Sequence, residues 1–244
     1  MTDEPEEPRY TRLSVLVPVY NERSTVGEII RRMRHVDLPG DLDLEVVVVD
    51  DGSTDGTDKV LSAIEDSTVM VLRHARNEGK AACIRTALRR AHGDLVLVQD
   101  ADLEYDPEDW PSLLAPMLKG RAQVVYGSRY LGAHQTTGYW AHLSNRFLSV
   151  VTDVLYNTNL SDVQTCYKLF DRALLDSISI ESEGFNFEPE VTAKLLRKGV
   201  RIYEVPISFA GRTHDEGQKF ASRDSLRALA ALVRYRFSTP APRP

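Results

Sequence analysis

Two carboxylates, Asp100 and Asp102, directly follow the apolar run Leu95–Val98, which has the composition of a buried strand. Side chains two apart on a strand point the same way, so both carboxylates are directed at one point where the strand ends. Such a pair can hold Mg²⁺ or Mn²⁺ through oxygen ligands, with substrate phosphates filling the remaining positions. The alternative is an ordinary acidic loop, because more acids follow between positions 106 and 109.

A second acidic turn, Asp50-Asp51-Gly52-Ser53, follows the apolar run Val46–Val49. Carboxylates only accept hydrogen bonds, which suits the donor edge of a nucleotide base or a ribose hydroxyl. The same residue types also make turns and helix caps, so both interpretations stay open. The glycine fingerprint of nicotinamide-binding folds and the phosphate loop of kinases are absent from the chain.

Two basic residues stand where a phosphate could be met. Lys80 follows Gly79 at the start of a predicted helix, where the helix dipole also favours an anion. Arg129 follows another apolar run and can pair with a phosphate through two hydrogen bonds. For Lys80 the alternative is a solvated surface lysine.

Composition limits the function classes. The chain has 244 residues, 42% of them hydrophobic, and a net charge of −6, which gives no reason to expect nucleic acid as a partner. No apolar stretch approaches the roughly 18 residues of a membrane span. Cys83 and Cys166 make no metal spacing and are predicted to be reduced in a cytoplasmic protein, and the six histidines make none either.

The order of apolar runs predicts the elements that position these residues. In the first half, strands at Leu13–Val19, Leu44–Val49, Thr68–Leu72, Leu95–Val98 and Gln123–Tyr126 alternate with helical patterns. This alternation predicts an α/β fold with a mostly parallel central sheet flanked by helices, whose ligands sit at the carboxyl ends of the strands.

The second half has a different pattern. Thr137–Tyr156, Pro189–Arg197 and Arg223–Phe237 are predicted helices, and Val200–Ile207 is a predicted strand. We expect a disordered acidic tail over residues 1–9, a single domain over 10–237 whose second half forms an extension, and a flexible tail over 238–244.

Taken together, these pieces resemble the family 2 glycosyltransferases, which carry the GT-A fold. The motifs that carry the resemblance are Val17-Pro18-Val19-Tyr20-Asn21-Glu22, Val49-Asp50-Asp51-Gly52-Ser53-Thr54-Asp55, Asn77-Glu78-Gly79-Lys80, Gln99-Asp100-Ala101-Asp102 and Gly127-Ser128-Arg129-Tyr130. The resemblance implies that Pro18, Tyr20, Glu22, Asp50, Asp51 and Gly52 bind the nucleotide. It also implies that Asp100 and Asp102 hold the metal, with Glu104 where relatives carry a third ligand.

The rest of the chain is similar to the dolichol-phosphate mannose synthase branch, whose acceptor is a polyprenyl phosphate. This similarity implies acceptor roles for Asp162, Lys168, Arg212 and Lys219, with Arg129 assisting the leaving diphosphate. Cys166-Tyr167-Lys168 departs from the Gly-Phe-Arg or Gly-Phe-Lys element of that branch. The expected donors are GDP-mannose or UDP-glucose, because the sequence fixes neither sugar nor base.

The implied reaction is inverting, metal-dependent transfer of a hexose to the acceptor phosphate. A phosphomonoester, with a second pKa of about 6, needs no general base. The terminal helix carries an apolar stripe with Arg223, Arg227 and Arg234 on its flank, so we expect peripheral attachment to the inner face of the membrane. An ordinary helix packing its stripe on the sheet is the alternative.

Three other functions stay open. A transferase acting on a sugar hydroxyl would need a carboxylate base, for which Glu188, Glu190 or Asp162 is available. A sugar nucleotidyltransferase would open with a glycine-rich, arginine-containing loop, which Pro18–Glu22 is not. A non-catalytic nucleotide-sugar-binding module is disfavoured by the intact pair of Asp100 and Asp102.

Overall fold

The structure, a computed structural model, describes residues 9–132, 139–182, 186–211 and 222–238. Most of both predicted tails lies outside these residues. Arg9, which the sequence assigns to the acidic tail, is described and lies 3.3 Å from the Asp171 carboxylate. The described chain is therefore tied to the fold from its first residue.

One seven-stranded sheet forms the centre of the fold, in the order β3-β2-β1-β4-β6-β5-β7. All pairings are parallel except those of β6, which runs antiparallel between β4 and β5. The fold class predicted from the alternation of strands and helices is confirmed. The strands are β1 (Arg12–Val19), β2 (Asp43–Asp50), β3 (Val69–Arg73), β4 (Leu95–Val98), β5 (Val124–Ser128), β6 (Lys168–Asp171) and β7 (Tyr203–Pro206).

Helices cover both faces of the sheet, and each face buries its own apolar cluster. β1, β2 and β4 are buried on both sides, which explains their continuous runs of Val and Leu. The helices are α1 (Val26–Arg34), α2 (Thr57–Ser62), α3 (Lys80–Leu88), α4 (Trp110–Leu118), α5 (Tyr139–Tyr156), α6 (Arg172–Asp176), α7 (Phe187–Arg197) and α8 (Ser222–Phe237).

The sequence did not predict β6 and α6. β6 has only four residues, and its first is Lys168, so it lacks the apolar pattern of the other central strands. The turn into α6 is made by Asp171, whose carboxylate accepts a hydrogen bond from the Leu174 N–H at 3.1 Å. The segment assigned to the acceptor site is thus partly a central strand.

The extension of the second half is a three-helix layer. α8 packs on α7 and α5, and its buried side chains Ala228, Leu232 and Tyr235 join Leu148 of α5 in a third apolar cluster. The predicted stripe of α8 does not pack on the sheet, because Leu226, Val233 and Phe237 are exposed. Within the described residues, no helix has the length and apolarity needed to cross a membrane.

Candidate active site

The loops that follow β1 and β2 are joined by hydrogen bonds into one rigid wall. Asn21 donates its N–H to Ser53 Oγ at 2.9 Å, and its side-chain oxygen accepts from the Thr54 N–H at 2.9 Å. The Glu22 N–H reaches Thr57 Oγ1 at 3.0 Å. Asn21 takes a left-handed conformation, with φ of 54°, that aims both of its groups at the second loop.

Asp50 offers one buried oxygen to a ligand. Its Oδ1 accepts from the Ser53 N–H at 2.9 Å, whereas its buried Oδ2 makes no hydrogen bond. The Arg73 Nε lies 3.3 Å from Oδ2. The two groups form an ion pair, but their geometry does not make a hydrogen bond. A buried oxygen without a hydrogen bond is costly, which favours a ligand N–H or O–H at this point.

Asp51 has a structural role in addition to the predicted ligand contact. Its Oδ1 accepts a hydrogen bond from the Glu78 N–H at 2.9 Å and lies 2.8 Å from His74 Nδ1, and its Oδ2 accepts from the Gly79 N–H at 2.7 Å. Asp51 therefore holds the loop that begins α3. His74 was not singled out from the sequence, although it follows β3 at the edge where the other site residues lie.

Gly52 acts through its backbone. Its φ is 70°, and a Cβ at this position would lie 2.8 Å from the backbone of Arg76. Only glycine fits where the two loops approach so closely. Gly52 therefore belongs to the wall of the site, and it can contact a ligand only through its backbone.

Lys80 lies between two carboxylates. Its Nζ is 2.7 Å from Asp100 Oδ1, 2.9 Å from Glu188 Oε1 and 3.1 Å from Cys166 Sγ. Burial lowers the pKa of Lys80 and Asp100 raises it, and the net pKa is well above its usual value. The lysine is therefore charged and neutralises Asp100, where the sequence predicted contact with a pyrophosphate.

A buried polar network fixes the end of β4. The Gln99 side-chain oxygen accepts from Tyr167 Oη at 2.6 Å and Trp110 Nε1 at 3.2 Å, while its amide donates to the Asp100 carbonyl at 3.0 Å. Beyond it, Asp102 Oδ1 accepts from the Glu104 N–H at 3.2 Å. Leu103, which lies between Asp102 and Glu104 in the chain, has a strained backbone conformation with a φ of 65°.

The donor set of Asp100, Asp102 and Glu104 fits Mg²⁺ or Mn²⁺ in type, since all three offer carboxylate oxygens. Their oxygens are not gathered as a three-residue cluster in this structure. Mg²⁺ commonly takes only one or two carboxylates together with substrate phosphates, so such a cluster is not required.

A different trio has its potential ligand atoms within 4.8 Å of one another: Asp51, His74 and Cys83. Burial raises the pKa of the Cys83 thiol, which keeps it neutral, and Asp51 is engaged by backbone N–H groups. Among the described residues, Asp100 and Asp102 therefore fit a hard cation better than this trio.

Arg129 and Asp162 form a buried bidentate ion pair, with nitrogen–oxygen distances of 2.7 and 2.8 Å. Burial raises the pKa of Asp162, but the charge and hydrogen bonds of Arg129 outweigh it and hold that pKa below its usual value. Asn145 of α5 donates to the same carboxylate at 3.0 Å, and Glu204 of β7 accepts from the Asp162 N–H at 3.2 Å. The guanidinium is thus fixed in direction.

Lys168 does not lie where an acceptor phosphate could meet it. It is fully buried, donates to the carbonyls of Val163 and Thr165 at 3.0 and 2.6 Å, and lies over the Tyr126 ring at 4.0 Å. The structure corrects the predicted phosphate contact, because β6 carries this side chain into the interior. Lys168 holds the turn that presents Asp162.

The buried Lys168 should make stability depend on pH. Burial lowers its pKa from 10.5 to about 8, so between those values the unfolded chain holds a proton that the folded chain lacks. The free energy of unfolding, relative to that of Lys168→Met, should rise by about 3 kcal/mol from pH 7.5 to pH 10.5. Urea unfolding of both proteins across this range measures it, and parallel pH profiles would contradict the assignment.

The remaining predicted residues are placed as follows. Pro18 lies in β1, Tyr20 is 37% exposed at its end, and the buried Glu22 accepts from Thr25 Oγ1 at 2.8 Å. Arg212 and Lys219 lie outside the described residues. The structure thus brings together the groups following β1, β2, β4 and β5 at one sheet edge.

This fold is that of the GT-A glycosyltransferases. Glucosyl-3-phosphoglycerate synthase of Mycobacterium tuberculosis with bound UDP superimposes with a TM-score of 0.73 at 22% identity, covering 95% of this chain and 82% of that one. The same synthase holding Mn²⁺, UDP-glucose and phosphoglyceric acid gives 0.72 at 22% identity, covering 95% of this chain and 81% of that one.

Residues 14–179 match the model of glycosyl transferase family 2, and the chain belongs to this family. A curated relative, the undecaprenyl-phosphate 4-deoxy-4-formamido-L-arabinose transferase of Pseudomonas aeruginosa strain LESB58, is 28% identical over 231 residues. The match covers 93% of this chain and 66% of the relative, so this chain spans just under two thirds of that length. This membership is the family assignment that the motifs predicted.

Proposed function

We propose that this glycosyltransferase transfers a sugar from a nucleoside diphosphate to a polyprenyl phosphate, with inversion and with a divalent cation. The observation that carries the proposal is the meeting, at one sheet edge, of three charged groups. These are the Asp50 acceptor, the carboxylates of Asp100 and Asp102, and the oriented Arg129. The similarity to an undecaprenyl-phosphate sugar transferase supports the acceptor class.

On the donor side, Asp50 Oδ2 accepts a hydrogen bond from the base or ribose, against the wall formed by Asn21, Gly52 and Ser53. Tyr20 offers a partly exposed ring beside it for stacking. The solved relatives contain UDP, which favours a uridine donor such as UDP-glucose over GDP-mannose. The curated relative is named for a modified arabinose, a five-carbon sugar, so we propose a hexose or a pentose derivative as the transferred sugar.

The diphosphate would lie beside Asp100 and Asp102, with Glu104 next to them, and these residues would hold the cation. When bound, Mg²⁺ or Mn²⁺ supplies charge compensation to the leaving diphosphate. Structures of the Mycobacterium synthase contain Mn²⁺ or Mg²⁺ together with UDP. Lys80 neutralises Asp100, and Glu188 offers Lys80 a second carboxylate at 2.9 Å.

The resemblance implies that Arg129 assists the leaving diphosphate. We assign its positive charge to the acceptor side instead, because Arg129 is paired with Asp162, for which the resemblance implies an acceptor role. Asp162 orients its guanidinium, and the rings of Phe209 and Tyr130 flank it at 5.1 and 5.9 Å. A phosphate dianion near Arg129 attacks the anomeric carbon without a general base, so positioning and charge supply most of the rate. A hydroxyl acceptor would require a carboxylate base, and each of the three candidates is paired with a cation: Glu188 with Lys80, Glu190 with Lys194 and Asp162 with Arg129.

A donor panel tests the proposed function. UDP-glucose, GDP-mannose and other nucleotide sugars are incubated with Mg²⁺ or Mn²⁺, with and without undecaprenyl phosphate, and release of the nucleoside diphosphate is measured. We expect release that depends on undecaprenyl phosphate with at least one uridine donor. Release that depends only on a sugar hydroxyl acceptor would support the alternative transferase.

Arg212→Ala and Lys219→Ala should reduce transfer more than donor binding. Both residues belong to a basic segment that the resemblance assigns to the acceptor phosphate, far in sequence from the nucleotide motifs. We expect kcat for undecaprenyl phosphate to fall about tenfold or more per charge removed, while the Kd for UDP changes little. Transfer at the wild-type rate by both variants would refute the acceptor role.

A further inference from the structure

Helix α5 carries a continuous apolar stripe on its outer face. Tyr139, Leu143, Phe147, Val150 and Val154 recur every three to four residues, and all five are exposed, Phe147 by 55% and Val154 by 79%. Soluble helices usually present charged residues on this face. An apolar row of this length on one helix marks an interaction surface.

Helix α8 extends the same surface. It packs beside α5, where Ser144 Oγ donates to Ser225 Oγ at 2.8 Å and Arg236 Nε donates to the Leu155 carbonyl at 2.7 Å. On α8 the exposed apolar side chains are Leu226, Val233 and Phe237. We call these eight exposed side chains of α5 and α8 the apolar face.

The exposed charges that the structure describes on α5 and α8 have one sign. Among the side chains described on the two helices, the exposed charged ones are Arg146, Arg227, Arg234 and Arg236. The acidic Asp153 is partly buried and accepts from the Leu160 N–H at 2.8 Å. From Lys194 to Phe237 the sequence holds ten Lys and Arg against four Asp and Glu, in a protein whose net charge is −6.

The opposite side of α5 touches the candidate acceptor site. Asn145 donates to Asp162 at 3.0 Å and to Tyr130 Oη at 2.6 Å, next to the Arg129 guanidinium. An α-helix is about 10 Å thick with its side chains. The acceptor site and the apolar face are therefore separated by roughly the thickness of one helix.

We propose that the apolar face of α5 and α8 docks the protein on an anionic lipid bilayer. The aromatic and aliphatic side chains enter the boundary between headgroups and acyl chains, and the arginines contact lipid phosphates. The proposal rests on the proposed function, since docking through α5 brings Arg129 close to the level where a polyprenyl phosphate emerges. The single sign of the described charges favours an anionic lipid surface over a symmetric dimer through this face, which would set the same arginines opposite one another.

Vesicle sedimentation tests the surface directly. The probes are vesicles of phosphatidylglycerol with phosphatidylcholine, and vesicles of phosphatidylcholine alone, at low and high salt. We expect the wild type to bind the anionic vesicles most strongly at low salt. Phe147→Asp/Val154→Asp should weaken this binding by roughly tenfold or more, because two apolar contacts are lost and two negative charges face the lipid.

The matched control is Val71→Asp, since Val71 is an exposed apolar residue of β3, away from α5 and α8. It should bind vesicles like the wild type. Equal vesicle binding by the α5 double variant and the wild type would overturn the proposal. Failure of the wild-type protein to bind either kind of vesicle would also overturn it. A wild-type dimer that the double variant abolishes, without vesicle binding, would assign the face to self-association and overturn it too.

A short, water-soluble prenyl phosphate separates this proposal from the proposed function. With citronellyl phosphate in solution, the double variant should turn over as fast as the wild type, because no bilayer is needed. Loss of that turnover in the double variant would contradict a pure docking role for the face. Absence of turnover in the wild type with every prenyl phosphate, alongside normal vesicle binding, would refute the proposed function and leave the docking surface standing.

Discussion

Asp102→Asn is expected to lower the rate of sugar transfer by at least about a hundredfold, because a hard anionic ligand is lost beside the diphosphate. The backbone of this turn should persist, since an asparagine oxygen can still accept from the Glu104 N–H that Asp102 accepts at 3.2 Å. A Mn²⁺ titration of UDP binding by calorimetry should show weaker coupling between metal and nucleotide in the variant. This readout is independent of turnover.

The matched control is Glu108→Gln, which removes an exposed acid from the same loop. If the loop were merely acidic, both variants would behave alike. The metal assignment requires Glu108→Gln to keep nearly full activity and metal dependence. Full activity of Asp102→Asn in the presence of a chelator would refute the assignment.

Asp162→Asn is expected to cost about 3 kcal/mol of the free energy of unfolding and most of the transfer activity. The change leaves the Arg129 guanidinium, whose side chain is only 18% exposed, without its carboxylate partner, and an unpaired charge with so little contact with water is strongly destabilising. It also frees the guanidinium from the direction fixed by the 2.7 and 2.8 Å hydrogen bonds. Urea unfolding and steady-state kinetics measure the two effects separately.

A double variant separates structure from chemistry at this pair. Arg129→Met/Asp162→Leu replaces both charges by apolar groups, and such replacements often cost little stability. We expect it to unfold closer to the wild type than Asp162→Asn does, and still to fail in transfer. Wild-type transfer by the double variant would show that the ion pair serves the fold alone.

The parallel part of the sheet could be predicted from sequence because its strands are buried on both faces. Runs such as Leu95–Val98 are then continuously apolar, and each is followed by a helical pattern. β6 could not be predicted, because a four-residue strand beginning with Lys168 has no such pattern. Its place between β4 and β5 is decided by pairing across more than 40 residues of chain.

The location of the site could be predicted from the sequence, but most hydrogen-bond and ion-pair partners of its residues could not. The strand ends pointed to Asp50, Asp100 and Arg129, because parallel strands end at one edge. The partners of Lys80 and Asp51 come from distant segments, and nothing in the local sequence marks them. The sequence offers Glu188 only as a base for a hydroxyl acceptor, whereas the structure pairs it with Lys80.

The predicted apolar stripe of α8 shows a third limit of prediction from the sequence. Periodicity identified an amphipathic helix but could not decide which surface covers it. The helix buries Ala228, Leu232 and Tyr235 against its neighbours and exposes Leu226 and Phe237. The larger apolar stripe on α5 was hidden in sequence, since a mostly apolar helix gives little indication of which side faces outward.

The central claim is transfer of a sugar to a prenyl phosphate, and the chemical form of the product tests it most directly. Radiolabelled UDP-glucose and GDP-mannose are incubated with the protein, Mn²⁺, and either undecaprenyl phosphate in anionic vesicles or 3-phosphoglycerate in solution. Our account predicts label that extracts into organic solvent with the lipid acceptor and depends on the metal. Label transferred only to 3-phosphoglycerate, with none in the organic phase, would contradict it.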